Sequence, residues 1–135
     1  MKIHYLDSSI VIPFISAAIG TKAQRREPKN IKAVQFVKGL RSESKISVAT
    51  YAETLRHFGD DEQARKILQN FNAPLPLTPR HARRWARLQN RSDRTMGDND
   101  AWNAAMAVEE SGVVVGHDEE AFGDRPDVEY VDYLA

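Results

Sequence analysis

Short β-forming runs alternate with helical ones along this chain, and that alternation constrains its fold more than any other feature. KIHYL, residues 2 to 6, has the length and residue types of a strand, and SSIVIPFISAAI follows with a helical pattern in which Pro13 is tolerable only near the first turn. GTKAQRREPKN reads as a polar, basic loop. In IKAVQFVKGLRSES, Ile31, Val34, Val37 and Leu40 fall close to helical spacing, and KISV reads as a strand feeding directly into the helix ATYAETLRHFG. DDEQARKILQNF continues helically. After the proline-punctuated APLPL, Thr78 and Pro79 make a cap and first-turn pair for a helix through about Asn90. TMGDNDAWNAAMA heads an alanine-rich helix, GVVVGHD supplies a buried type of strand after Gly112, and DVEYVDYL a last one. Strands separated by helices in this way predict an α/β sandwich around a largely parallel sheet, whose ligands collect at the carboxyl ends of the strands.

Length fits one such sandwich. At 135 residues and 41% hydrophobic, the chain suffices for one well-covered core and is short for two, so residues 1–135 are expected to form a single domain. No run approaches the ~20 apolar residues of a membrane span, and Asp7 interrupts the apolar start where a signal peptide would stay apolar. A soluble, cytoplasmic protein is expected. The absence of cysteine excludes disulfides and thiolate zinc sites. With 28% charged residues and zero formal net charge, any contact with nucleic acid must come from local clusters of charge.

The acids fall at particular places on this map. Asp7 follows the first strand, Glu53 lies in the first turns of the helix after KISV, Asp98 and Asp100 open the alanine-rich helix, and Asp118 follows the valine run. Each alone reads equally as a helix cap or a solvated side chain. Their shared placement on one edge of the sheet points to a site. Two unpaired carboxylates 4 Å apart repel by about 4 kcal/mol at an effective dielectric near 20, so a cluster of them shares protons or binds cations. Oxygen-only donors favour magnesium or manganese over zinc, and such a site suits phosphoryl chemistry.

YLDSSIVI, SVATYAETL, GDNDAWNAAMA and VVVGHDEEAF, in that order, resemble the successive motifs of the PIN-domain ribonucleases, and most closely the VapC-type toxins of toxin–antitoxin pairs. The resemblance spans essentially the whole chain and implies a three-layer α/β/α sandwich. It also implies a metal-dependent endoribonuclease, dimeric, restrained by a cognate antitoxin. By similarity, Asp7, Glu53, Asp100 and Asp118 match the acids that hold Mg²⁺ or Mn²⁺, which leaves Asp98 as a flanking acid, expected to cap the helix, with an auxiliary metal role as the alternative. One departure stands out: where the family often has threonine or serine two places before the last acid, this chain has Gly116. Threonine restored there is expected to be tolerated unless the backbone has positive φ. Ser8 resembles the small hydroxyl residue usual beside the first acid, and could either steady Asp7 or join the helix cap.

Basic residues cluster twice. Lys22, Arg25, Arg26 and Lys29 share the early loop, while Arg80, Arg83, Arg84, Arg87 and Arg91 form a stripe on the helix after Pro79, with His81, Trp85 and Leu88 on another face. Either cluster could contact an RNA backbone or be a solvated face; the resemblance favours the loop. His4 reads as a packed or edge residue. His57, His81 and His117 lack the spacing of a zinc site, although His117 adjoins Asp118. Trp102 and Met106 read as core or dimer contacts. Two rivals remain: a PIN-like module that binds RNA or protein without cutting, and a small magnesium-dependent phosphohydrolase.

Overall fold

The computed structural model describes residues 2–40, 43–71, 74–91, 96–123, 125 and 127–135, with the side chains of Arg91 and Glu119 excepted. The elements run β1 (His4–Leu6), α1 (Ser8–Ile19), α2 (Lys22–Arg26), α3 (Pro28–Gly39), β2 (Ser44–Lys45), α4 (Val48–Phe58) and α5 (Glu62–Leu68). They continue with α6 (Pro79–Arg91), α7 (Asp98–Glu109), β3 (Val113–Gly116), α8 (Glu119–Phe122) and β4 (Tyr130–Asp132). The sheet has the order β2-β1-β3-β4, and each neighbouring pair is parallel.

Strand periodicity divides the core in two. Tyr5 and Val114 face one side of the sheet, among Leu88 of α6, Ala101, Ala104 and Ala105 of α7 and Phe122 of α8. Leu6 and Val115 face the other, among Ile10, Val11 and Ile15 of α1, Ala33 of α3 and Ala64 of α5. All four residues of β3 are buried, as a strand covered on both faces requires. The expected helix–sheet–helix architecture is what the chain adopts. Among the described residues, no helix is long and apolar enough to cross a membrane.

Several local expectations give way. The basic stretch read as loop contains α2, whose Thr21 and Gln24 form a reciprocal capping box: the Thr21 hydroxyl accepts from Gln24 N and the Gln24 amide oxygen from Thr21 N. Helix α4 does not run on into α5. Gly59, with φ +64°, ends it in the left-handed conformation, Asp60 follows with φ 57°, and the Asp61 carboxylate caps α5 by accepting from Gln63 N and Ala64 N. Pro13 lies inside α1, beyond the first turn. The strand at KISV is displaced to Ser44–Lys45, with Ile46 buried and Ser47 bridging to Leu75. The Thr78–Pro79 start of α6 holds, since Pro79 is its first residue and the Thr78 hydroxyl accepts from His81 N at 3.5 Å. Arg41, Ser42, Ala73 and Thr95, which belong to stretches read above, lie outside the described residues.

Candidate active site

Strand order makes the site. β1 and β3 are adjacent, with β2 and β4 outside them on opposite sides, so the carboxyl ends of β1 and β3 flank the switch point where open parallel sheets bind ligands. Asp7 leaves β1 there, and Asp118 follows β3 by two residues. Glu53 comes from α4 and Asp100 from the first turn of α7, and these four carboxylates line one open cleft of about 480 Å³. Asp98 and Asn99 line it as well.

Asp7 is only 2% exposed, and both its oxygens are held. Oδ2 accepts from the Ser9 backbone amide at 3.1 Å, capping α1, and from Ser9 Oγ at 2.6 Å. Oδ1 accepts from Asn103 Nδ2 at 2.9 Å. Burial raises the Asp7 pKa and the neighbouring charge of Glu53 adds to this, while the Ser9 and Asn103 donors oppose it. Glu53 is held in a similar way, its Oε1 accepting from Ser8 Oγ and its Oε2 from Asn99 Nδ2 at 2.5 Å. The Ser8 hydroxyl therefore serves Glu53, and it is Ser9 that steadies Asp7.

Asp100 behaves differently. Burial and then the charges of Asp7, Asp118 and Glu53 push its pKa up to about 7. Asp100 thus lies within electrostatic reach of the other three acids, and an oxygen-only donor set under such repulsion suits a divalent cation. Among the described residues no three such side chains are drawn into a ligand cluster. Asp118 is engaged through one oxygen: Oδ1 accepts from Ala121 N at 3.1 Å at the head of α8, while its own amide donates to the Tyr130 hydroxyl at 2.9 Å.

Two expectations about capping and glycine are corrected. Asp98 does not cap α7; Gly97 is the cap residue, without a side-chain bond, and Asp98 stands in the first turn, where the helix dipole favours an acid. Gly116 lacks the positive φ that would demand glycine. A Cβ there, however, would lie 2.5 Å from Ser9 Oγ and 3.1 Å from Asp7 Cβ. Ser9 Oγ occupies that space because it accepts from His117 N at 2.8 Å while donating to Asp7. The hydroxyl absent from β3 is supplied by α1.

The other sequence candidates are engaged elsewhere. Arg80 and Arg84 both pair with Glu109, at 3.1 and 2.8 Å, so half of the α6 stripe that can be described is structural. His81 is buried, accepts from Thr78 N through Nδ1, and faces Glu110 through Nε2. His117 Nδ1 lies 2.9 Å from Asp132. Trp102 stacks on Trp85 with centroids 5.6 Å apart, and Met106 is core. Sequence reasoning passed over Asn99 and Asn103, whose spacing of four on one helix was the available signal.

A family model described as PIN domain matches residues 4–127. The chain belongs to the PIN-domain family. No curated protein matches this PIN domain in sequence. Its fold is shared with VapBC2 from Rickettsia felis bound to a promoter DNA fragment (13% identity, 96% of this chain and 98% of that one, TM-score 0.71). It is shared also with a toxin–antitoxin complex from Klebsiella pneumoniae (19%, 93% and 94%, TM-score 0.72). VapBC-1 from nontypeable Haemophilus influenzae is a third (23%, 98% and 99%, TM-score 0.67). At these identities the likeness is one of fold.

Proposed function

We propose that this PIN domain is a metal-dependent endoribonuclease, the VapC-type toxin of a toxin–antitoxin pair, working as a homodimer and held inactive by its antitoxin. The observation that carries the reading is the meeting of Asp7, Glu53, Asp100 and Asp118, from four separate segments, at one cleft on the carboxyl edge of the sheet. That the solved relatives are toxin–antitoxin complexes supports the biological assignment. Asp7, Glu53, Asp100 and Asp118 would hold Mg²⁺ or Mn²⁺. Bound there, the ion would supply charge that acidifies a water and neutralises the oxygen leaving the phosphodiester. The chain's own part is to hold the Asp7 and Glu53 carboxylates in place through Ser9, Asn103, Ser8 and Asn99 and to release the Asp100 proton. Incubating purified protein with total RNA in Mn²⁺, and again with the metal chelated, tests the reading: internal cuts only with metal are expected. RNA bound but intact would indicate the non-cutting module, and hydrolysis of small phosphoesters alone the phosphohydrolase.

The basic segment is the expected RNA contact. Lys22, Arg25, Arg26 and Lys29 are all exposed, on and beside α2, which packs at the end of α1 away from Ser8 and Ser9. Arg25 Nε also donates to Gly20 O at 2.9 Å, so replacing it would disturb the end of α1. Lys22→Gln with Arg26→Gln is the cleaner change. Each phosphate contact on a single strand contributes about 0.7 to the salt slope of binding, so losing both should flatten it by about 1.4. An unchanged slope, measured on a metal-free complex, returns α2 to a solvated face.

A further inference from the structure

We infer that Asn99 and Asn103, one turn apart on α7, are positioning residues that fix the Glu53 and Asp7 carboxylates in a metal-ready state before any ion arrives; this rests on the metal-site reading above. The amides lie on the same helix face, four residues apart, and each reaches an acid delivered by a different element: Asn99 the α4 residue Glu53, Asn103 the Asp7 that follows β1.

The orientation of Asn103 is determined by its surroundings. The residue is 4% exposed, and its Oδ1 accepts from Ser47 Oγ at 2.6 Å and from Thr50 Oγ1 at 3.1 Å. Ser47 Oγ is itself fixed by accepting from Thr50 N while it caps α4. With the amide oxygen occupied by two hydroxyl donors, the NH₂ group must face Asp7, and it can only donate. Asp7 Oδ1 is therefore required as the acceptor of that bond, which fixes the orientation of the carboxylate. Asn103 also joins Asp7 to the cap of α4, the helix that carries Glu53, so a movement of one acid is resisted by the element holding the other. Asn99 completes the arrangement from the half-buried first turn, with Ser8 opposite it on the second Glu53 oxygen. Both Glu53 oxygens and Asp7 Oδ1 accept one bond each and keep acceptor capacity for an ion. Asp100, between the two amides in sequence, is left as the acid that adjusts.

Neutral donors suit this task better than lysine or arginine would. A cation here would neutralise the carboxylates that an incoming divalent ion needs, whereas an amide orients them without supplying net charge. Removing a partner that orients a metal ligand generally weakens metal binding ~10 to 100-fold, and that is the expected loss of Mn²⁺ affinity for Asn103→Ala, by calorimetry on full-length protein without RNA. Asn99→Ala, at a more open position, should lose at the lower end of that range and fold normally. Asn103→Ala also strands the Ser47 and Thr50 hydroxyls, so its melting temperature is measured alongside; Asn99→Ala keeps the test decisive if Asn103→Ala unfolds. Loss of Mn²⁺ affinity in folded Asn99→Ala, with its melting temperature unchanged, supports positioning. Affinity within twofold of wild type in folded variants overturns it. If wild-type protein itself takes up no Mn²⁺, the metal reading fails first and takes this inference with it.

Discussion

Asp100→Asn should abolish RNA cleavage and, at the same time, make the metal-free protein more stable at neutral pH. The sign follows from the raised pKa. An unfolded chain releases the Asp100 proton near ~3.9, while the folded protein holds it to about 7. Between those values the native state binds more protons than the unfolded one, so stability is lost as pH climbs through that window and levels off above it. Asparagine cannot ionise and escapes the loss. Melting temperatures in chelator at pH 5 and pH 8 should show the variant gaining on wild type at the higher pH. Cleavage should fall by more than the ~100-fold that loss of a merely supporting group costs. Near-wild-type cleavage in saturating Mn²⁺ removes Asp100 from the proposed ligands; a gap that ignores pH removes the repulsion argument. Asp7→Asn should be equally inactive, yet less stable. Three donors converge on that carboxylate, and an amide in its place sets one NH group against another, an uncompensated conflict worth ~1 to 3 kcal/mol. Burial raises the Asp7 pKa too, so a loss of stability there beside a gain at Asp100 would show that the donors around Asp7 outweigh the relief of its buried charge.

The same contrast shows what a sequence can convey. Strand–helix alternation and the placement of acids after strands depend on local pattern, and β1, β3, α1, α4 and α7 emerged where that pattern put them. The arginines of α6 were visible as a stripe, but Glu109, which claims Arg80 and Arg84, stands some 25 to 29 residues further on in α7, and nothing local reveals the pairing. Asn103 was hidden for a like reason, since its partners Asp7, Ser47 and Thr50 lie 96, 56 and 53 residues away. Helix α2 is a different case. Its T-x-x-Q capping box was readable, and the density of charge around it suggested loop. The break between α4 and α5 was marked by Gly59, followed by an Asp61 cap, in a run whose helical composition concealed both signals.

Gly116→Thr provides the second large expected effect, and it reverses what the sequence suggested. The backbone would accept threonine, but the space is taken: the new Cβ would sit 2.5 Å from Ser9 Oγ, closer than real contacts allow. Ser9 cannot swing away without surrendering both its bond to Asp7 and the one it accepts from His117 N. Forcing a group into a packed core costs ~1 to 3 kcal/mol, so the variant should melt several degrees lower. Ser9→Ala should relieve the clash, because the atom in the way is the serine oxygen itself. Ser9→Ala alone loses two hydrogen bonds and should also be destabilising. The double variant should therefore be more stable than the sum of the singles predicts, with a coupling of at least ~0.5 kcal/mol in a double-mutant cycle from denaturant unfolding. Strict additivity would mean that Gly116 and Ser9 do not compete for one space. Positive coupling would mean that a hydroxyl on α1 and a glycine at the end of β3 form one unit, and that the missing strand hydroxyl is a relocation of the contact to Asp7.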